Sequence, residues 1–135
     1  MNDLLTAILD TLIPPSRDGV MPGAGALGLA DSVREKVSAA IAVVDAGLAA
    51  AEAKGFAELN ASDRVDALRE LEASQPGFIP TLFFPTCIAY YQHPDVLVAL
   101  GLSPNPPHPK GYELESGDLA GLAGVRSRGK IYREV

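Results

Sequence analysis

The 135-residue sequence has one cysteine and no tryptophan. A single cysteine excludes an internal disulfide framework and a zinc site of the usual kind built from several thiolates. No run of about 18 uncharged apolar residues occurs, so the sequence predicts no membrane-spanning helix. Basic residues are also few: 11 lysines and arginines against 17 acidic residues give a formal net charge of −6. That balance argues against a nucleic-acid-binding protein, which needs a basic face to displace counterions from phosphates.

Apolar residues make up 47% of the chain, enough to bury a core in one ordinary domain. They recur at spacings of three and four, and no segment alternates as a half-buried strand does. The sequence therefore predicts an all-α fold, a small bundle of about four main helices with an extended Pro-rich C-terminal arm. We expect a helical domain over residues 1–102 and an arm over residues 103–135 that packs on the domain or on a partner.

Three helices are predicted in the first half of the chain. The first has apolar residues on one face from Leu4 to Leu12, and Asn2 or Asp3 can cap its start. It ends at Pro14-Pro15, because a residue before proline is disfavoured in the α conformation. The second is predicted as one long helix from Leu29 to Lys54, with Gly47 marking a close contact or a bend. The third begins at Asn60 or Ser62, both residues that cap helix N-termini well. The predicted buried stripe of the long helix is Val33, Val37, Ile41, Val44 and Leu48.

Residues 78–91 read FIPTLFFPTCIAYY and are apolar on every side. Such a helix is either central in the fold or partly covered by a partner. We expect it to be the structural centre of the domain. A short helix from Pro94 to Leu100 should follow it. The side chains expected to be largely buried are Phe78, Leu82, Phe83 and Ile88.

The arm differs in composition from the domain. Residues 103–115 carry four of the eleven prolines and are typical of an extended, polyproline-like segment. The last ten residues hold four basic side chains and one acidic one, whereas residues 1–102 hold six basic and thirteen acidic ones. An acidic helical body therefore ends in an arm with a basic tip.

Two patterns resemble functional motifs without their context. Gly23, Gly25 and Gly28 match G-x-G-x-x-G, but the dinucleotide fingerprint needs a preceding strand, so we interpret the stretch as a flexible interhelical loop. Cys87 and His93 are six residues apart, too far for one helical face, and Cys87 lies in the most apolar helix. The histidines and carboxylates show no metal-ligand spacing. The residues alone thus predict no catalytic, cofactor-binding or metal-binding side chains in this chain.

Five short stretches, in the same order, resemble the gluconate 2-dehydrogenase subunit 3 family, the small subunit of membrane-linked flavin sugar dehydrogenases. The similarity extends over nearly the whole chain. The stretches are L-x-x-I-x-D-T-L-I-P (5–14), M-P-G-A (21–24), Y-Y-x-H-P-x-V-x-x-A-L-G (90–101), P-x-P-K-G-Y (107–112) and R-S-R-G-K-I-Y-R (126–133).

This resemblance implies an all-α, non-catalytic, chaperone-like accessory subunit. It would bind, stabilise or help mature a large glucose–methanol–choline-type oxidoreductase subunit, which carries the FAD and the chemistry. Known members often carry a twin-arginine leader, and this sequence begins at its first helix. The expected location is therefore cytoplasmic, or periplasmic only if the chain is exported together with a signal-bearing partner.

Other functions stay open at this point. The chain could be a stand-alone enzyme using Cys87 and His93, or a homodimeric or small-molecule-binding helical protein without a flavoenzyme partner. Tyrosines and arginines are frequent interface anchors, although Tyr112 and Tyr132 could equally pin the arm to its own domain. The predicted partner-binding residues are Tyr90, Tyr91, His93, Tyr112, Arg126, Arg128, Tyr132 and Arg133.

Overall fold

The computed structural model describes residues 2–105 and 117–131, and within these ranges the protein is helical with no strand. The predicted all-α class is confirmed. The chain divides into two compact units, Met1–Asn105 and Pro106–Val135, three residues from the boundary predicted between residues 102 and 103.

Among the described residues, the first unit contains six α-helices and the second contains one. Short 3₁₀ segments lie at Ser38–Ala40, Phe56–Glu58 and Ala120–Leu122. The α-helices are α1 (Asn2–Leu12), α2 (Ala30–Lys36), α3 (Ile41–Ala53), α4 (Ala61–Ser74), α5 (Phe78–Tyr91), α6 (Pro94–Ala99) and α7 (Ala123–Ser127). No helix of the described ranges is long and apolar enough to cross a membrane.

Local sequence signals set several helix ends. The Asn60 side chain accepts a hydrogen bond of 3.0 Å from the Asp63 N–H and so caps α4. Pro94 occupies the first position of α6, where a helix needs no N–H donor. Gly55 follows α3 with a φ of 63°, a left-handed conformation that glycine adopts without strain.

The predicted long helix from Leu29 to Lys54 is wrong, because the chain breaks between α2 and α3 at residues 37–40. A straight helix of 26 residues would be about 39 Å long, whereas a domain of about 100 residues has a radius of gyration near 13 Å. The break lets α2 and α3 each pack against α5. Val33 and Val44, one on each side of it, are both fully buried.

Helix α5 packs against α2, α3, α4 and α6 and contributes Phe78, Leu82, Ala89 and Tyr90 to the core. The Phe78 ring lies directly on the backbone of Gly47, where a Cβ atom would collide with it. Helix α5 continues through Pro85, which has no N–H to donate, and the Thr86 hydroxyl donates a 2.6 Å hydrogen bond to the Leu82 carbonyl one turn earlier.

Phe78 and Leu82 are fully buried as expected, but Phe83 is 48% exposed and Ile88 is 36% exposed. The prediction that these two side chains are buried is therefore wrong. Phe83 and Ile88 lie at the two edges of the exposed side of α5, about 100° and about 120° around the helix from the buried Leu82 at 3.6 residues per turn.

In the second unit, the described residues 117–131 are all exposed. The 3₁₀ turn at Ala120–Leu122 leads directly into α7. Apolar side chains exposed along it are Leu119, Leu122, Val125 and Ile131.

Candidate partner-binding site

Tyr90 is a core residue. Its side chain is 2% exposed, and its hydroxyl donates a 2.7 Å hydrogen bond to the Pro22 carbonyl. Burial raises the pKa of the Tyr90 phenol above its ordinary value, and the adjacent Tyr91 adds to the shift. The prediction that Tyr90 belongs to a partner-binding surface is therefore wrong: the ring is used to fix α5 to the loop before α2.

The same loop is fixed to α1. The Gly25 N–H donates a 3.2 Å hydrogen bond to Asp10 Oδ1, and the Ala24 N–H donates one of 2.9 Å to the Ile13 carbonyl. A Cβ atom on Gly23 or Gly25 would collide with the Asp10 side chain. The glycines permit this close approach. The loop is therefore held in place against α1, which corrects its interpretation as a flexible interhelical loop.

Three of the five stretches that carry the family resemblance thus meet in space. Asp10 lies in the first stretch, Pro22 in the second and Tyr90 in the third, and the two hydrogen bonds above connect them through one loop. Asp10 Oδ1 and the Tyr90 hydroxyl each bond to this loop inside the domain. We conclude that the motif residues at this junction build the fold.

His93 and Tyr91 have different environments. His93 is half-buried and caps α6, since its Nδ1 accepts a 3.3 Å hydrogen bond from the Asp95 N–H. Tyr91 is 54% exposed, and its ring meets the Tyr90 ring edge-on at a centroid distance of 5.2 Å and an angle of 89°. Of the three predicted residues at this end of α5, Tyr91 is the one that offers a large exposed surface.

The remaining predicted residues belong to the second unit. Arg126 and Arg128 are exposed, and Arg128 Nε donates a 3.3 Å hydrogen bond to the Gly124 carbonyl. Tyr112, Tyr132 and Arg133 lie outside the described residues. Their role in binding a partner stays a prediction.

A continuous apolar stripe lies on the exposed side of α5, and Tyr91 alone of its members is among the partner-binding residues predicted from the sequence. We call it the outer stripe; its members share spacings of three and four and lie opposite Phe78 and Leu82. Phe84 is the most exposed of them, at 69%, and Cys87 is half-buried. The outer stripe consists of Phe83, Phe84, Cys87, Ile88 and Tyr91.

The outer stripe has no charged neighbour in the sequence. Between Glu72 and Asp95 no acidic or basic side chain occurs, and His93 is the one imidazole. This length without charge is the signal that could have located the surface, because an exposed helix of a soluble protein ordinarily carries charge on its solvent side. Apolar surface that is exposed and free of charge marks an interaction site.

A cleft of about 450 Å³ between α1 and the glycine loop is a second candidate site. Asp3, Asp10 and Arg64 bring charge to it. Arg64 is already engaged, because its Nη2 donates a 2.6 Å hydrogen bond to the Ala57 carbonyl and its guanidinium lies 5.8 Å from the centre of the Phe56 ring. Asp10 is bonded to Gly25, so two of the three charged groups already make a hydrogen bond within the domain.

The described part of the chain shows neither a cysteine–histidine pair joined by a hydrogen bond nor a cluster of metal-binding side chains. No hydrogen bond joins Cys87 to His93 there, and the described residues contain no cluster of three or more His, Cys, Asp or Glu side chains that could hold a metal ion. Comparisons with protein-family models, with curated proteins and with solved structures found no match to this chain.

Proposed function

We propose that this chain is a non-catalytic accessory subunit that binds and stabilises the catalytic subunit of a flavin-dependent sugar or alcohol dehydrogenase. The observation that carries the proposal is the outer stripe on α5. Three aromatic rings and Ile88 stand exposed on the central helix of the domain, with no charged residue in the surrounding sequence. Large exposed apolar patches on soluble proteins are sites of protein–protein contact.

The use of the polar residues supports an accessory role. Asp10, Tyr90 and His93, which stand in the sequence motifs, each make a hydrogen bond that fixes a loop or a helix end of this domain. These contacts stabilise a scaffold that presents α5. A chain built in this way contributes a surface, while the FAD and the reacting groups belong to the partner.

The kind of partner comes from the resemblance of the five ordered stretches to the small subunits of flavin sugar dehydrogenases. The exposed Arg126 and Arg128 of the second unit would add contacts with acidic side chains or carbonyls of that subunit. These arginines would act as supplementary anchors, in addition to the larger apolar surface that α5 provides.

The test is purification of the chain, tagged and expressed at its natural level, from the cells that encode it. We expect a large flavoprotein in a fixed molar ratio, with flavin absorbance and dehydrogenase activity toward a sugar or alcohol in the presence of an artificial electron acceptor. The same chain produced alone in a foreign host should carry no flavin. Flavin bound to the lone chain, or recovery without any flavoprotein, would contradict the proposal.

A second measurement separates the accessory role from the alternatives. Light scattering coupled to size-exclusion chromatography gives the mass of the purified chain alone. A stable dimer in which Phe84→Asp restores the monomer would favour a homodimeric protein. A specific ligand whose binding is lost in Asp3→Asn would favour a small-molecule function of the cleft beside α1.

The arm is tested by a chain that ends at Asn105, the last residue of the first unit. Circular dichroism should show an intact helical domain, because the buried core lies within residues 4–96. We expect a lower yield of the flavoprotein complex, since Arg126, Arg128 and the predicted anchors Tyr112 and Tyr132 are removed. An unchanged yield would show that the arm takes no part in assembly.

A further inference from the structure

The spacing within the outer stripe specifies a mode of docking. Phe84, Cys87, Ile88 and Tyr91 occupy positions i, i+3, i+4 and i+7 of α5. Those positions fall on one line of an α-helix, and the line from Phe84 to Tyr91 is about 10 Å long at 1.5 Å per residue. Helices that dock into grooves of other proteins use anchors at these same positions.

We infer that α5 docks lengthwise into an uncharged apolar groove of a larger partner protein, with Phe84, Ile88 and Tyr91 as its anchors. The inference rests on the proposed function for the identity of that partner, the flavoprotein subunit, and adds how the partner is held. Phe83, beside the line of anchors, would contact one edge of the groove.

The helix is pre-organised for this role by its inner face. Phe78 is locked against Gly47, and the Tyr90 hydroxyl is bonded to the Pro22 carbonyl. The domain therefore holds the three anchor side chains on one line of a rigid helix before any partner binds. A helix fixed in its binding conformation loses little conformational entropy on docking, so more of the burial energy appears as affinity.

Exposed area distinguishes a larger partner from a second copy of the chain. An aromatic side chain contributes roughly 150–250 Å² when fully buried, and the three exposed rings are 48%, 69% and 54% accessible. With Ile88 they offer about 400 Å² per copy, so a symmetric α5–α5 contact would bury about 800 Å² in total. Stable interfaces bury roughly 1,200–2,000 Å². A groove that also encloses the flanks of the helix supplies the missing area.

Charge and hydrogen bonding define the groove further. Because residues 73–94 contain no Asp, Glu, Lys or Arg, an apolar groove lined by aliphatic and aromatic side chains leaves no charge of α5 unpaired. Tyr91 is the one anchor with a polar tip, and a buried tyrosine hydroxyl needs a hydrogen-bond partner. We therefore expect one acceptor at the end of the groove that receives Tyr91.

Cys87 gives a direct test, because it is the only cysteine and lies within the stripe. The rate of its alkylation by a small uncharged maleimide is measured in the purified chain and in the chain–flavoprotein complex. We expect the rate to fall at least tenfold in the complex. The control is the double variant Cys87→Ala with Ser62→Cys, whose thiol stands on the exposed start of α4 and should react equally in both states.

Affinity variants give the second readout. Phe84→Ala and Ile88→Ala should each weaken binding of the purified flavoprotein subunit at least tenfold, with the circular dichroism spectrum unchanged. Val65→Ala is the matched control, since Val65 is an exposed aliphatic residue on α4, 40% accessible, and its truncation should leave the affinity within twofold.

The outcomes separate the inference from the proposed function. A flavoprotein complex that forms normally with Phe84→Ala and leaves Cys87 reactive overturns the groove and leaves the accessory role standing. A non-flavin partner that protects Cys87 and is lost in Phe84→Ala supports the groove and overturns the flavoprotein assignment. Protection that appears in the purified chain alone and grows with its concentration assigns the stripe to a second copy and overturns the inference.

Discussion

The two faces of α5 have nearly the same composition and opposite environments. Phe78 and Phe84 stand six residues apart on one helix, yet Phe78 is fully buried and Phe84 is 69% exposed. Tyr90 and Tyr91 are adjacent, yet the first is a core residue and the second is half-exposed. The difference teaches that apolar character alone does not assign a residue to the core; what the neighbouring helices present to each face decides it.

The inner face is defined by complementary features elsewhere in the chain. Gly47 provides the space that the Phe78 ring occupies, and the Pro22 carbonyl provides the acceptor for Tyr90. Within the described residues of the first unit, no residue encloses Phe84 or accepts a hydrogen bond from Tyr91. A substitution on one face of α5 therefore has the other face as its internal control.

The largest effect is expected from Phe78→Ala. Loss of a fully buried phenylalanine ordinarily costs about 3–5 kcal/mol of unfolding free energy, because both the transfer of the ring and the remaining cavity contribute. Phe84→Ala should cost less than about 1 kcal/mol, since most of the ring is already in water. Urea denaturation followed by circular dichroism measures both variants.

Equal losses for the two variants would contradict this division of the helix. A large loss for Phe84→Ala in particular would mean that the outer stripe is part of a packed core in the free protein. The docking surface inferred above would then be absent.

The next effect is expected from Gly47→Ala. Alanine ordinarily stabilises a helix by up to about 1 kcal/mol relative to glycine, but here its Cβ would collide with the Phe78 ring. Overpacking costs about 1–3 kcal/mol, so we expect a net loss of unfolding free energy. In the double variant with Phe78→Ala the collision disappears, so the two losses should be clearly less than additive. Strict additivity would show that the residues do not contact each other.

The sequence was sufficient for the features that depend on local chemistry. The all-α class, the end of α1 before Pro14 and a capped start of α4 at Asn60 or Ser62 follow from residues close in the chain, and the structure shows that Asn60 is the cap. Each depends on backbone geometry that one or two side chains dictate, which is why pattern reasoning recovers them.

The predictions that were wrong concern features that depend on contacts between residues distant in sequence. The break at residues 37–40 serves the packing of α2 and α3 on α5, and no proline or glycine marks it. The exposure of Phe83 and Ile88 was hidden because a helix that is apolar all round has no polar side to show which way it faces. Tyr90 was assigned to a surface because its acceptor, Pro22, lies 68 residues away.

A smaller effect is expected from Tyr90→Phe, which removes the hydroxyl that donates to the Pro22 carbonyl while keeping the buried ring. A hydrogen bond of this kind contributes about 1 kcal/mol to the unfolding free energy. Tyr91→Phe is the matched control and should change that free energy by no more than about 0.5 kcal/mol, as for other surface substitutions. The opposite ranking of the two variants would show that Tyr91 anchors the helix to the domain.

The smallest effect is a pH dependence that distinguishes the same two tyrosines. Burial, with a further contribution from Tyr91, raises the pKa of Tyr90 in the folded protein above 10.0. At pH values below the pKa of Tyr90 in the unfolded chain, both states hold the proton and the contribution of Tyr90 to stability is fully present. As the pH rises past that pKa, the unfolded state ionises first. Stability is therefore lost until the pH also passes the pKa of Tyr90 in the folded protein. Unfolding free energy measured from neutral pH to above 10 should therefore fall less steeply in Tyr90→Phe than in the unaltered chain. Tyr91→Phe should retain most of the steepness, because it leaves the buried hydroxyl in place and removes only the lesser cause of its shift. Identical slopes for the unaltered chain and Tyr90→Phe would show that the hydroxyl on the inner face of α5 ionises as freely as one in water.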